Sequence, residues 1–235
     1  MKLFKHLLIL TLITTAPVHA QEKNMGATRS IADFSQLKVA GPFHVSLNPD
    51  RKGTIQIDAD QKIVEKIITE VNNGVLTIRM KKRSYFNSHH RGTIAIEIPM
   101  PSLQAVLLSG SGKIHNTTAF STTNLDVKLS GSGKINLNVN AAAVHSQLSD
   151  SGNLKIKGKT TQLNVKLSGS GNVNLHELEA KNGQVELSGS GKISVQCTTN
   201  LNAKIAGSGT VRYHGEPTGK LHSKVVGSGS LRKAN

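Results

Sequence analysis

The side chains with which this sequence could do chemistry are ten histidines, a single cysteine, fourteen carboxylates and twenty-nine lysines and arginines. The histidines are mostly isolated (His115, His145, His176, His214, His222), and only His89 and His90 are adjacent. Neighbours on a strand point to opposite faces, so that pair is a poor chelator and no metal site is assigned. Cys197 has no second cysteine to bridge, and a nucleophilic thiolate needs a partner that the sequence does not supply, so a buried, inert thiol is expected. Between 103 and 235 the acidic residues are Asp126, Asp150, Glu177, Glu179, Glu186 and Glu216, scattered over different repeat offsets. Glu177 and Glu179 stand two apart, where a strand would put both on one face, as acid/base work on a sugar would need. A solvated turn explains them equally, so no catalytic residue and no cofactor are assigned. What remains is charge. The same stretch holds fifteen Lys and Arg against six Asp and Glu, and the whole chain carries +15.

Those lysines are positioned by a repeat. Leu129-Ser130-Gly131-Ser132-Gly133-Lys134-Ile135 has close copies beginning at Leu108, Leu148, Leu167, Leu187, Ile205 and Val225. Counted from the residue after each leading aliphatic (Ser109, Ser130, Ser149, Ser168, Ser188, Ala206, Val226), the spacings are 21, 19, 19, 20, 18 and 20. A period of that length marks a solenoid. Relative to this marker, apolar residues recur one and three positions before it and five and seven after it, as in Val127, Leu129, Ile135 and Leu137. These offsets are all odd, a period of 2, so each coil is built of strand with one dry face. A coil cannot bury that face alone, but stacked coils about 4.8 Å apart can, with like residues forming ladders. The glycines three after the marker (Gly112, Gly133, Gly152, Gly171, Gly191, Gly209, Gly229) fall at an inward offset and read as structural corners. Asp150 replaces the first glycine in one copy, and Asp tolerates the left-handed region. A phosphate-cradling loop is excluded, because no helix start and no Gly-Lys-Ser/Thr step follows.

Along the chain, residues 1–20 read as a secretory signal: Lys2 and Lys5, an apolar core from Leu7 to Ile13, and Val18-His19-Ala20 before the cut. The mature chain of 215 residues then carries +13, and no segment after the signal is long and apolar enough for a membrane helix. Residues 21–28 read as a flexible mature N-terminus. Residues 29–102 read as a β-rich capping module, with strands Phe34 to Val39, Phe43 to Leu47 and Thr54 to Asp58. A helical turn from Gln61 to Lys66 capped by Asp60 follows, then Ile67 to Val71 and Val75 to Met80 around an Asn-Asn-Gly turn. A polar loop from Lys81 to Gly92 leads to a strand from Thr93 to Ile98, and the solenoid proper is read from 103 to 235. The module is expected to cover the first coil's unpaired edge, since bare solenoid ends template aggregation.

The combination of Phe34…Leu37-Lys38-Val39-Ala40-Gly41-Pro42-Phe43-His44-Val45, Asn72-Asn73-Gly74-Val75-Leu76-Thr77-Ile78, Ile96-Glu97-Ile98-Pro99 and the Leu-Ser-Gly-Ser-Gly coils resembles the putative auto-transporter adhesin head GIN domain family, DUF2807. The resemblance covers residues 30–230. It implies an all-β, right-handed parallel β-helix, here of about seven coils of 18–21 residues, in an exported protein with a role in adhesion and no catalytic residues to carry over.

The basic columns are the positive functional signal. Lys113, Lys134 and Lys192 share one outward offset, and Lys128, Lys166, Lys204 and Lys224 share another. Such a face suits an anionic polymer of the cell envelope or an anionic host or cell-surface ligand, with solubility and protection against edge pairing as the bland role for the same lysines. Nucleic acid is not expected as a partner, because aromatics are 3% of the chain, with no Trp to stack bases. The reading is an exported, non-enzymatic binding or scaffolding protein, periplasmic or at the cell surface. The alternatives are a polysaccharide-lyase-like enzyme on the same fold or a purely structural envelope component. Oligomeric state stays open.

Overall fold

The structure, a computed structural model, describes residues 26–49, 53–81, 92–99 and 102–234. The signal segment, most of the polar loop and the His89-His90 pair lie outside the described residues. The strands are β1 (Ala27–Ser30), β2 (Gln36–Ala40), β3 (His44–Asn48), β4 (Thr54–Asp58), β5 (Ile67–Asn72), β6 (Val75–Met80), β7 (Ala95–Pro99), β8 (Ala105–Ser109) and β9 (Lys113–Asn116). They continue as β10 (Phe120–Ser130), β11 (Lys134–Asp150), β12 (Asn153–Gly169), β13 (Asn172–Gly189), β14 (Lys192–Gly207), β15 (Thr210–His214), β16 (Leu221–Val226) and β17 (Ser230–Lys233). Together they form one continuous sheet coiled on itself as a β-solenoid. The single described helix, α1 (Gln61–Val64), is one turn whose first amides bond the Asp60 carbonyl rather than its side chain.

From β8 onward every pairing is parallel. The register aligns Ser109, Ser130, Ser149, Ser168, Ser188, Ala206 and Val226, so the first and last of these seven corners are six full turns apart. The dry columns follow from that alignment. Leu108, Leu129, Leu148, Leu167, Leu187 and Ile205 are buried, as are Ile114, Ile135, Leu154, Val173, Ile193 and Val211. Each such side chain contributes roughly 1.5–3 kcal/mol on burial, and it does so only because the coils above and below exclude water.

Ser146 breaks one dry column. It pairs with Val127 on one side and Val165 on the other, and its buried hydroxyl has no hydrogen-bond partner. Replacing Ser146 with valine should raise stability by about 1 kcal/mol, because a desolvated, unsatisfied hydroxyl is removed and the column's own side chain restored. Urea unfolding should show a higher midpoint at unchanged slope. A lower midpoint would mean the space is too tight for a second methyl.

The N-terminal part does more than cap. β2 pairs in parallel with β8 and β3 with β9, setting Ala40 beside Ser109 and His44 beside Lys113. Residues 36–48 are therefore a coil with its own corner, Ala40-Gly41-Pro42-Phe43, so the stack begins before Leu103. Gly41 has φ +134°, and Phe43 stands at the second-glycine position, fully buried.

Below this layer β6 pairs with β2 and β7 with β3, and antiparallel β5, β4 and β1 close the stack. The β5–β6 turn is Asn73 (φ 51°) and Gly74 (φ 72°), both left-handed as a two-residue hairpin requires. β1 begins at Ala27, two residues inside the stretch expected to be flexible, because its pairing with β4 draws it into the sheet. At the other end, among the described residues, β16 and β17 pair on one side only, and the exposed large apolar residues Leu221, Val225 and Val226 are all there.

Candidate binding surface

The two glycines of each corner serve different ends. The first sits at positive φ: Gly110 and Gly131 at 105°, Gly169 at 118°, Gly189 at 114°, Gly207 at 112° and Gly227 at 105°. Asp150 holds the same conformation at 80°, and its carboxylate accepts the Gly131 amide of the preceding coil at 3.1 Å. The second glycine is needed for space. A Cβ on Gly133 would lie 2.8 Å from the Gly112 carbonyl oxygen and 2.9 Å from Leu108 Cδ2, and Gly112, Gly152, Gly171, Gly191, Gly209 and Gly229 meet the coil below in the same way. The corners thus stack backbone on backbone, a ridge of close contacts with a lateral face on either side.

The seven lysines divide between those two faces. On the face before the ridge the register reads Lys128, Gln147, Lys166, Glu186, Lys204, Lys224. Glu186 pairs with Lys166 at 3.0 Å and stands beside Lys204, so only Lys204 and Lys224 are direct like-charged neighbours there. On the face after the ridge the order is Lys113, Lys134, Asn153, Asn172, Lys192. Lys113 and Lys134 are adjacent, whereas Lys192 is separated from them by two asparagines that bond each other at 3.2 Å. The lysines are therefore not one patch, and each column is interrupted by neutral or acidic residues.

The second face carries groups that the lysine columns alone did not reveal. Two positions further on, one outward column runs His115, Asn136, Lys155, Asn174, Ser194, Arg212, Arg232. The same alignment that gave the lysines contains this column, and reading one more outward offset would have found it. A register shift between Leu175 and Glu179 pushes His176 and Glu177 out of line. Glu177 is thereby gripped by Lys155 and Lys157, each at 2.5 Å, with His176 Nε2 at 3.6 Å. Its hydrogen bonds to the two lysines hold its carboxyl down at about 2. His176 bonds Asn174 and lies 5.3 Å, ring centre to ring centre, from His214, whose Nε2 is 3.0 Å from Ser194 Oγ. Burial, then the charges of His176 and Arg212, lower the pKa of His214 and favour its neutral form. At the opposite end of this face His44 is likewise lowered, by burial and then by Lys113 and His115.

Around these residues lies a groove of ≈ 710 Å³, lined by Lys192, Arg212, Arg232, Lys233, His176 and His214 with Asn172, Asn174, Ser194 and Thr210. Among the described residues no carboxylate lines it. Lys233 pairs with Glu216, while Lys192, Arg212 and Arg232 have no acidic partner among the described residues.

The candidates for catalysis are occupied otherwise. Cys197 is fully buried and its thiol is pushed up to about 11 by that burial. A Cβ on Gly183 would reach its sulfur at 2.5 Å, so glycine makes the room for it. Glu177 and Glu179 share the outer face on either side of buried Leu178, but Glu177 is tied to its lysines and Glu179 lies 4.0 Å from Lys159. Among the described residues no group of three His, Cys, Asp or Glu comes together to hold a metal, and no helix is long and apolar enough to cross a membrane.

A family model described as "Putative auto-transporter adhesin, head GIN domain" matches residues 33–217. Among solved structures, a "putative adhesin" from Bacteroides fragilis is 22% identical, with 89% of this chain and 96% of that one covered at a TM-score of 0.82. A "putative adhesin" from Parabacteroides merdae is 20% identical over 92% and 98% of the two chains, with a TM-score of 0.75. A "putative lipid binding protein" from Parabacteroides distasonis is 23% identical over 89% and 97%, with a TM-score of 0.68. No curated protein matches the sequence.

Proposed function

We propose that this chain, which belongs to the auto-transporter adhesin head GIN domain family, is an exported, non-enzymatic binding protein of the cell envelope whose lateral faces hold an anionic polymer. The observation that carries this reading is that cations recur at outward positions on both sides of the corner ridge, adjacent at Lys113 and Lys134 and at Lys204 and Lys224 and spaced by neutral or acidic residues elsewhere. Cations recurring at multiples of the coil spacing of about 4.8 Å along a rigid axis suit a ligand with repeated negative charge, with weak contacts adding along its length. The reading is non-enzymatic because Glu177, held near a pKa of 2, has no proton to give a leaving group at neutral pH. Nor does its spatial pairing with lysines resemble the two opposed carboxyl groups that glycoside hydrolysis employs.

Replacing Lys113, Lys134, Lys128 and Lys166 with glutamine should leave the circular dichroism spectrum unchanged. The variant should elute from an anionic column at distinctly lower salt than the wild type and lose retention on lipopolysaccharide vesicles, which belong among the probes because one structural relative is described as lipid binding. Wild-type retention should itself fall steeply as salt rises. Retention that ignores both the substitutions and salt would leave the lysines as a solubility device.

A further inference from the structure

Glu177 is an anion already bound to this surface. Its carboxylate sits between Lys155 and Lys157 at 2.5 Å from each, so the outward columns of this face can clamp a carboxylate between cations. Arg212 occupies the column of Lys155 three coils further along, and Arg232 follows it in direct register. Here the cations recur and the carboxylate does not. Both arginines are exposed into a groove of ≈ 710 Å³ that, among the described residues, no acidic side chain lines. That volume is within the range of pockets that enclose small ligands.

We propose that this groove is a binding site for an acidic polysaccharide, with Arg212 and Arg232 receiving a sugar carboxylate in place of the internal one. Arginine presents a planar fork of donors that matches a carboxylate in two parallel hydrogen bonds. Two such forks on neighbouring coils face successive acidic groups of a chain laid along the axis. Asn172, Asn174, Ser194 and Thr210 supply neutral donors and acceptors of the kind that sugar hydroxyls need. Among the described residues the groove's lining holds no Phe, Tyr or Trp, so the acidic group and not a sugar ring stacked on a large aromatic face is what selects the ligand. The site rests on the polymer-binding reading above and deepens it by fixing where a short segment is held and by which chemistry.

The test uses the full-length mature protein and short galacturonate oligomers, followed by titration calorimetry, with neutral galactose oligomers and inorganic phosphate as comparison ligands. The double substitution Arg212→Gln, Arg232→Gln should weaken oligogalacturonate binding by more than about tenfold, as expected for losing charge-assisted hydrogen bonds. Lys38→Gln, Lys62→Gln removes the same charge from exposed positions of β2 and α1, away from the groove and outside the lysine columns, and should leave the oligomer affinity unchanged. Ser194→Glu places a carboxylate in register with Arg212, as Glu186 stands to Lys166, and should block binding by filling the site from within. Glu177→Gln frees Lys155 and Lys157 and should strengthen binding. Thermal unfolding checks that each variant is folded.

Equal weakening by both double variants would show a general charge effect and overturn the site, as would oligomer binding indifferent to Ser194→Glu. Binding of phosphate in preference to oligogalacturonate would overturn the carboxylate assignment. A wild type that is retained on anionic columns but ignores the oligomers would sink this site alone. One that ignores both would sink the polymer reading with it.

Discussion

Gly171→Val is expected to cost about 3 kcal/mol or more, enough to remove a large part of the stability of an ordinary domain. Gly171 does not need its glycine for φ; it needs it for room. A Cβ there would stand 2.6 Å from Leu148 Cδ2, 2.7 Å from the Gly152 carbonyl oxygen and 3.1 Å from the Asp150 carbonyl oxygen. The leucine methyl could swing aside, but the two oxygens belong to the ladder that carries the stack, since they accept the amides of Asn172 and of Gly171 itself. Relief must therefore come from separating two coils. Asn172→Val, one residue on and facing solvent, should change stability by no more than about 0.5 kcal/mol. Paired urea titrations decide the matter, and comparable losses at the two positions would refute the assignment of inside and outside for the whole solenoid.

Asn116→Leu is expected to lose about 2 kcal/mol, although leucine is what its column elsewhere contains. Asn116 aligns with the buried aliphatics Leu137, Ile156, Leu175 and Val195, yet it stands where β9 stops. Its amide continues the ladder in place of the missing strand. Nδ2 donates to the carbonyls of Thr118 at 2.8 Å and Asn138 at 2.9 Å, and Oδ1 accepts the Asn138 amide at 2.8 Å. Leucine would satisfy the column and strand those three backbone groups. A more stable Asn116→Leu protein would show that column hydrophobicity outweighs the bracket.

The architecture was legible because a solenoid repeats its solution. Seven copies of one corner fix period, register and the identity of each column, and the buried residues follow from counting. The coil at residues 36–48 escaped the same counting for two reasons. Its corner reads Ala-Gly-Pro-Phe, and the strands from β4 to β7 are inserted between it and the next corner, so no period of about 20 connects them. The surface was legible only as columns. That Glu177 would fold onto Lys155 and Lys157 depends on where the coil from Ser168 absorbs its extra residue. Spacings of 19, 20 and 18 show that one residue is gained and two are then lost, but the places, between Lys155 and Gly158 and between Leu175 and Glu179, emerge only from the three-dimensional register. The split of the lysines by the ridge, and the pairing of Lys166 with Glu186, are consequences of three-dimensional register that composition cannot express.

Antiparallel strands close one end of the stack, and among the described residues β16 and β17 pair on one side only, so the described turns form a one-dimensional lattice held unequally at its two ends. In such a lattice each turn is held by its two neighbours, and the terminal turn by one. Where nothing further pairs with β16 and β17, local opening begins at that end and retreats turn by turn toward the antiparallel one, so amide protection should be graded along the axis rather than uniform. Arg212 and Arg232 lie in the last turns of that gradient. A polymer that bridged them to earlier coils would act as a clamp on the fraying end, coupling occupancy of the groove to how much of the solenoid is wound at a given moment.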